Sequence, residues 1–443
     1  KQLCDSGATI YYVRPKFKWP GSANVEVVTL CFYKGDYKGI AMIGSKPVSR
    51  IYPDLTDSLR LLEPSKLRDN SGLVCKGHEL QGNGFKLDED EYQRIILLDP
   101  SEKEVIRPLI IGEDLNNKPT ITPSGRVICF GKSTEEFARR FSRCYGIVKD
   151  RVKPEREKYT GSTSRDNYLR TFWWRFRGFR LELEEYAKHH EKLLSICVHS
   201  KHLAFTFIPS SWIATPSICC FLLHEFSDFA VLQSQVHLVW ARRGGSTLGK
   251  TARYISGRCF GTFPFPPESD RKHLNRIGEE YYLYRSSMMN RLGIGMTEAY
   301  NMLNDQTVVN DDILHFREIQ KAMDFAVLDS YGIHDCKDNY GFYTHLNTGL
   351  ADTERESETC RDEATNKPAS YTSSADNDSS NAYYGFSPET AKAVSNTLLT
   401  INIERSTSNP GYSSSAGKRK SERKKIGPAK NVISTQASLD LGL

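Results

Sequence analysis

Residues 229–267 read FAVLQSQVHLVWARRGGSTLGKTARYISGRCFGTFPFPP. Here Arg242, Arg243, Lys250, Arg253 and Arg258 fall within seventeen positions, and the stretch contains no Asp or Glu. Cations without interleaved acids cannot neutralise one another locally, so the chemistry this pattern suits is contact with a polyanion. Arg and Lys can neutralise the phosphates of such a polyanion. The expected contact residues are therefore Arg242, Arg243, Lys250 and Arg253, with Ser246 and Thr247 as hydroxyl donors. Lys201, at the start of a separate strand pattern, can also reach a phosphate. The alternative is a solvated cationic rim on an ordinary core helix.

Three local patterns must position these groups. Phe229, Leu232, Val236, Val239 and Trp240 recur at three- and four-residue steps, which predicts one buried helix face about three turns long. Gly244 and Gly245 follow, where a backbone without a Cβ can turn sharply. CFGTFPFP then predicts an ordered extended strap, because each proline fixes φ and removes a donor.

Other residues capable of chemistry form no catalytic or metal set. His189, His190, His199 and His202 lack a carboxylate at ligand spacing, and an HxxH on a strand sends its rings to opposite faces. Gly77, Gly82 and Gly84 miss the spacing of a phosphate loop and predict a turn packed under a helix. The eleven cysteines are odd in number, scattered and without a CxxC, which suits a reduced cytoplasmic protein. No apolar run approaches eighteen residues, so no membrane helix or membrane partner is expected. A net charge of +6 permits nucleic-acid binding without demanding it, so charge placement decides.

Along the rest of the chain, residues 8–33 alternate like two edge strands around Pro20 and Gly21, and 54–69 is helical in composition. Asp88 should cap a helix carrying Tyr92, Ile95 and Ile96. Ser133 with Glu136 forms a capping-box pattern before a helix running to VKPER. A further helix from about Tyr168 should carry WWRFRGFR with one aromatic and one basic face, and Leu203, Phe205 and Phe207 alternate like a half-buried strand. Helices dominate 268–332, ending at Gly332. Residues 353–381 should be disordered, one short helix should begin at Ser387 and Pro388, and 418–430 is a cationic tail that adds non-specific affinity. Deleting everything after Leu350 is therefore expected to weaken binding to all DNA sequences alike.

FAVLQSQVHLVWA and RYISGRCFGTFPFP resemble the target-recognition region of the MmeI-like DNA adenine-N6 methyltransferases of restriction-modification systems. The same resemblance recurs in order at FKWPGSANVEVVTLCF, KGHELQGNGFKL, VKPER with WWRFRGFR, SKHLAFTFIP and MDFAVLDSYG, from about residue 10 to about 335. It implies an α+β chain in four parts. These are the last strands of an α/β methyltransferase sheet (1–60), a mixed target-recognition, DNA-binding domain (61–267), a helical domain (268–350), and a largely disordered basic tail with one short helix (351–443). It also implies S-adenosyl-L-methionine as cofactor of the whole enzyme, double-stranded DNA as partner, an upstream methyltransferase region or subunit, and a bacterial cytoplasmic setting.

The family's cofactor loop and Asn-Pro-Pro-aromatic loop are not in this sequence. The nearest string is Asn409, Pro410, Gly411, Tyr412, with Gly in place of the second Pro. The chain thus reads as the C-terminal part of something longer, expected neither to bind the cofactor nor to methylate alone. The other reading is a non-enzymatic DNA-specificity subunit or decayed fragment that acts only within a larger complex.

Overall fold

A computed structural model describes residues 7–18, 26–35, 37–48, 50–51, 55, 63–244, 246–248, 251–334, 339–343 and 382–408, without the side chains of 16–18, 26, 246–248, 251, 252 and 268. The expected turn at Pro20–Gly21, half of the expected 54–69 helix, Gly245, Lys250, and the segments 353–381, 409–412 and 418–430 lie outside these residues, and the described part of 54–69 forms no α-helix, only a single 3-10 turn at Arg68–Asn70.

The chain is a mixed α+β fold with several small sheets. The alternation near its start forms strands β1 (Ala8–Lys18) and β2 (Glu26–Lys34), antiparallel to each other. Strands β3 (Ala41–Ile43) and β4 (Lys46–Val48) extend this sheet in the order β2-β1-β3-β4. Next come β5 (Val74–Lys76), β6 (Lys86–Leu87), β7 (Ile106–Ile110) and β8 (Gly125–Ile128). They are followed by β9 (Lys192–Cys197), β10 (His199–Ser200), β11 (Thr206–Pro209), β12 (Ile213–Ala214) and β13 (Ile218–Phe221). Pairing gives two further four-stranded sheets, β11-β9-β13-β5 and β12-β7-β8-β6.

The sheet around β9 shares a core with helices from the second half of the chain. Leu194, Ile196, Phe205 and Phe221 pack in one cluster with Phe229, Trp240, Tyr281, Phe316 and Leu398. Burying each such side chain contributes about 1.5–3 kcal/mol. The helices Phe226–Gln233 and Arg271–Leu292 approach closely at Gly278, where a Cβ would stand 2.2 Å from the Phe226 carbonyl oxygen. Only glycine admits that contact. The helices Met296–Asn304 and Asp311–Ser330 complete this layer.

Several local expectations change in the structure. The apolar period over 229–240 does not form one helix: Phe226–Gln233 stops at Ser234, whose ψ is 159°, and Gln235–Gly244 starts afresh. The Ser234 Oγ donates to the Val231 carbonyl, and the Gln235 N–H donates to Asp324 Oδ1 at 2.7 Å, so a carboxylate from a distant helix caps the second one. The N-cap at 134 is Thr134 rather than Ser133, and the run to VKPER breaks into three short helices, Glu135–Arg139, Ser142–Arg151 and Lys153–Glu157. Asp88 caps Glu89–Leu98 as expected, in a capping box with Glu91.

WWRFRGFR is not helical, since the helix Ser164–Thr171 ends before it. Arg156 of VKPER, 1% exposed, explains this: it donates to the carbonyls of Leu80, Trp173 and Arg175 and fixes the segment as a folded loop. Strand β11 is buried on both faces rather than one, and Leu203 and Phe205 precede it. The C-terminal helix is not short. It runs Pro388–Ser408, preceded by β17 (Tyr383–Phe386) paired with β16 (Tyr340–Tyr343), and Ala391, Val394 and Leu398 are fully buried in the main core.

Candidate nucleic-acid interface

The cationic stretch is built on the end of the helix Gln235–Gly244. Gly244 lies under the Arg258 carbonyl oxygen, 2.8 Å from where a Cβ would be, so the chain can leave the helix there only without a side chain. It then forms a hairpin, β14 (Ser246–Leu248) and β15 (Thr251–Arg253), with Ser246 opposite Arg253. The hairpin base is anchored in the core. The Tyr254 N–H donates to the Val198 carbonyl, and the buried Tyr254 hydroxyl meets His237 Nε2 at 3.0 Å. Burial pushes His237 down to about 3, so this ring is neutral and serves packing rather than charge.

Strand β15 also pairs with β10, with His199 opposite Arg253 and Ser200 opposite Ala252. Lys201 directly follows the Ser200–Ala252 pair that ends β10. The three-stranded sheet β10-β15-β14 thus sets Arg253 opposite His199, two residues before the candidate Lys201. Lys201 is exposed, and Asn301 Oδ1 accepts from its Nζ at 2.8 Å while also lying 2.9 Å from His202 Nε2. Asn301 therefore orients the ammonium without neutralising it.

His199, weighed from the sequence only as a metal ligand, and Lys76, which no sequence pattern marks, belong to the same neighbourhood. Partial burial, then the Arg253 and Lys76 charges, push the His199 imidazole below its ordinary value. Lys76 ends β5, and β5 reaches this region only because it pairs with β13, which pairs with β9, the strand leading into β10. No sequence signal marks it, because its neighbours arrive through sheet pairing.

The other candidates are placed differently. The Arg242 guanidinium lies 5.8 Å from the Tyr383 ring centroid, and Arg243 Nη1 donates to Ser395 Oγ at 3.5 Å. Both are turned toward the C-terminal segment. Ser246 and Thr247 are on β14 by their backbone, and Lys250 lies outside the described residues. The Arg170–Arg180 cations serve the loop they belong to. Arg175 stacks over Phe172 at 4.3 Å and donates to the Ser133 carbonyl at 2.8 Å, while Arg177 and Arg180 both pair with Glu79.

Among the described residues no group of three His, Cys, Asp or Glu side chains could hold a metal ion, and no helix is long and apolar enough to cross a membrane.

Residues 65–267 match the family model described as MmeI, target recognition domain. A protein named DNA methyltransferase A from Bacillus subtilis (strain 168) is 26% identical over 321 residues, covering 68% of this chain and 34% of that protein. A solved structure of the type IIL restriction-modification enzyme MmeI in complex with DNA superposes with a TM-score of 0.52 at 18% identity, covering 76% of this chain and 45% of the MmeI chain. The chain thus spans about a third of the length of one relative and under half of the other.

Proposed function

We propose that this chain binds duplex DNA and reads the target site for a DNA adenine-N6 methyltransferase of a restriction-modification system in a bacterial cytoplasm, a reading supported by the match of residues 65–267 to the family model described as MmeI, target recognition domain. The observation that carries the reading is the pairing of β15 with β10, which brings Arg253, His199 and Lys76 together next to the exposed Lys201. A two-stranded ribbon of this size can lie in or along a groove, with its cations neutralising phosphates and one or two reaching base edges.

S-adenosyl-L-methionine is the methyl donor of the family, but the residues of this chain do not fit the roles of its cofactor and adenine loops. The nearest match, 409–412, has a glycine where the second proline is needed. We therefore assign positioning to this chain and route no chemical step through it. As a domain division we put forward sheet strands to about residue 60, the recognition domain over 61–267, and helices from 268. Residues 382–408 are counted with the folded body rather than the tail.

The test uses four single variants, Lys201→Ala, Arg253→Ala, Arg242→Ala and Arg243→Ala, titrated with target and scrambled duplex at two salt concentrations. At Lys201 or Arg253, losing a phosphate contact lowers the slope of log affinity against log salt by roughly one for all sequences. Losing a base contact instead costs about 1–3 kcal/mol on the target alone. Arg242 and Arg243 should show a fall in thermal stability before any change in slope, because they hold the C-terminal segment. Wild-type affinity, slope and preference in both Lys201 and Arg253 variants would refute the assignment.

A further inference from the structure

A second cationic site lies outside the hairpin, where two parts of the chain distant in sequence are clasped together. Asn402, fully buried on the Pro388–Ser408 helix, accepts from the Ser65 N–H at 2.9 Å and donates to the Ser65 carbonyl at 2.8 Å and the Thr262 carbonyl at 2.6 Å. The Leu67 N–H donates to the Gly261 carbonyl, and the Asn70 side chain donates to the carbonyls of Phe260 and Phe263 at 2.7 Å each. The segment 65–70 is thereby held along its length against both the 260–263 strap and the C-terminal helix.

This clasp opens a cleft of about 190 Å³ lined by Lys66, Leu67, Arg68, Asp69, Arg405, Ser406 and Ser408. Three cations face one carboxylate there, for a formal charge of +2 on the lining. Arg405 spends one donor on the Phe265 carbonyl at 2.7 Å, which fixes its guanidinium at the wall. The exposed Lys66 and Arg68 make no ion pair with any described residue. A cleft with this excess of cations on its lining attracts an anion, and its volume suits a single tetrahedral oxyanion with its water. Leu67 is buried and anchors the stretch between Lys66 and Arg68, so these two cations are held at the rim instead of being free to separate.

We infer that this cleft binds a phosphate group, with Lys66, Arg68 and Arg405 as its ligands. The phosphate is either that of the DNA backbone, as a second anchor in addition to that of the reading hairpin, or that of a free phosphorylated ligand. Only the first source rests on the DNA reading above.

The test is the double variant Lys66→Gln/Arg68→Gln in the full chain, whose two exposed side chains leave the Asn402 clasp intact. Thermal unfolding in chloride is the folding control and should match wild type. In inorganic phosphate at equal ionic strength, wild type should gain stability and the double variant should not. Duplex titrations then identify the source: a salt slope lower by one to two in the double variant points to the DNA backbone, and an unchanged slope points to a free phosphate. A double variant with the wild-type phosphate response and the wild-type slope overturns the inference. Lys201→Ala and Arg253→Ala, run alongside, separate the two proposals. If they alone lower the slope and the phosphate response is unaltered, the hairpin reading stands and the cleft fails; the opposite pattern retains the cleft and refutes the hairpin.

Discussion

At the scale of single residues, His199 is the group whose protonation should report an arriving phosphate. Burial and the charges of Arg253 and Lys76 hold its ring below the ordinary histidine value, so it is neutral near pH 7 in the free chain. A phosphate placed among these groups favours the charged imidazolium and raises that value, so binding takes up a proton. DNA affinity should therefore strengthen as pH falls from about 7.5 to 6, and His199→Gln should flatten that part of the profile while Lys201→Ala preserves it. Identical pH profiles for wild type and His199→Gln would remove His199 from the interface. Lys201 and Arg253 were legible as cations beside turn and strand patterns. Lys76 and His199 were not, because what makes them relevant is pairing between strands far apart in sequence. The reverse failure occurred at Arg175, Arg177 and Arg180: their density suggested a basic face, yet carbonyls, rings and Glu79 satisfy them.

At the scale of elements, the helices were legible wherever their caps are local and illegible wherever the cap comes from elsewhere. Asp88 and Glu91 announce a helix start in the sequence, whereas the break at Ser234 depends on Asp324, which the sequence places ninety positions away. Asp324 accepts from the Gln235 N–H, the Tyr340 hydroxyl and Gln320 Nε2, and complete burial raises it to about 7. Its value is raised on folding, so the folded state keeps a proton that the unfolded chain releases near its ordinary value of 3.8. This carboxyl therefore favours folding most at low pH, and its contribution falls as pH rises from about 4 to 7, by a few kcal/mol at most, since roughly 1.4 kcal/mol attaches to each unit. Asp324→Asn should lose stability through the altered cap and remove this slope. Urea unfolding at pH 4.5, 6 and 7.5 should then show the advantage of wild type over Asp324→Asn shrinking as pH rises, and a pH-independent difference would contradict the assignment.

At the scale of the whole molecule, the C-terminal segment is where composition misled most. The Ser-rich and acidic stretch before it and the basic run after it suggested that everything past 350 adds only uniform, non-specific affinity. The helix Pro388–Ser408 nevertheless buries Ala391, Val394 and Leu398 against the recognition core and clasps Ser65 and Thr262 through Asn402. A chain ending at residue 408 should keep its sequence preference and lose only uniform, salt-sensitive affinity, whereas one ending at 381 should unfold at markedly lower temperature. Equal thermal stability of the two truncations would deny the helix its structural place.

The final prediction concerns chemistry. Reading a site requires cations and polar groups held at fixed spacing, the role proposed above for the β10-β15-β14 sheet. Methyl transfer requires in addition a cofactor cradle and a polar loop that grips a flipped adenine, because the target amine is inaccessible inside the stack. The sequence offers only 409–412 for the second of these, and its glycine cannot supply the rigid backbone of a proline pair. Purified chain incubated with duplex DNA and radiolabelled S-adenosyl-L-methionine should therefore incorporate no label while still shifting the duplex on a gel. Adding a separately expressed methyltransferase region of the same system should restore incorporation at the preferred site. Label transfer by the chain alone would show that its catalytic groups have been misjudged, and failure to shift the duplex would instead remove the DNA-binding reading itself.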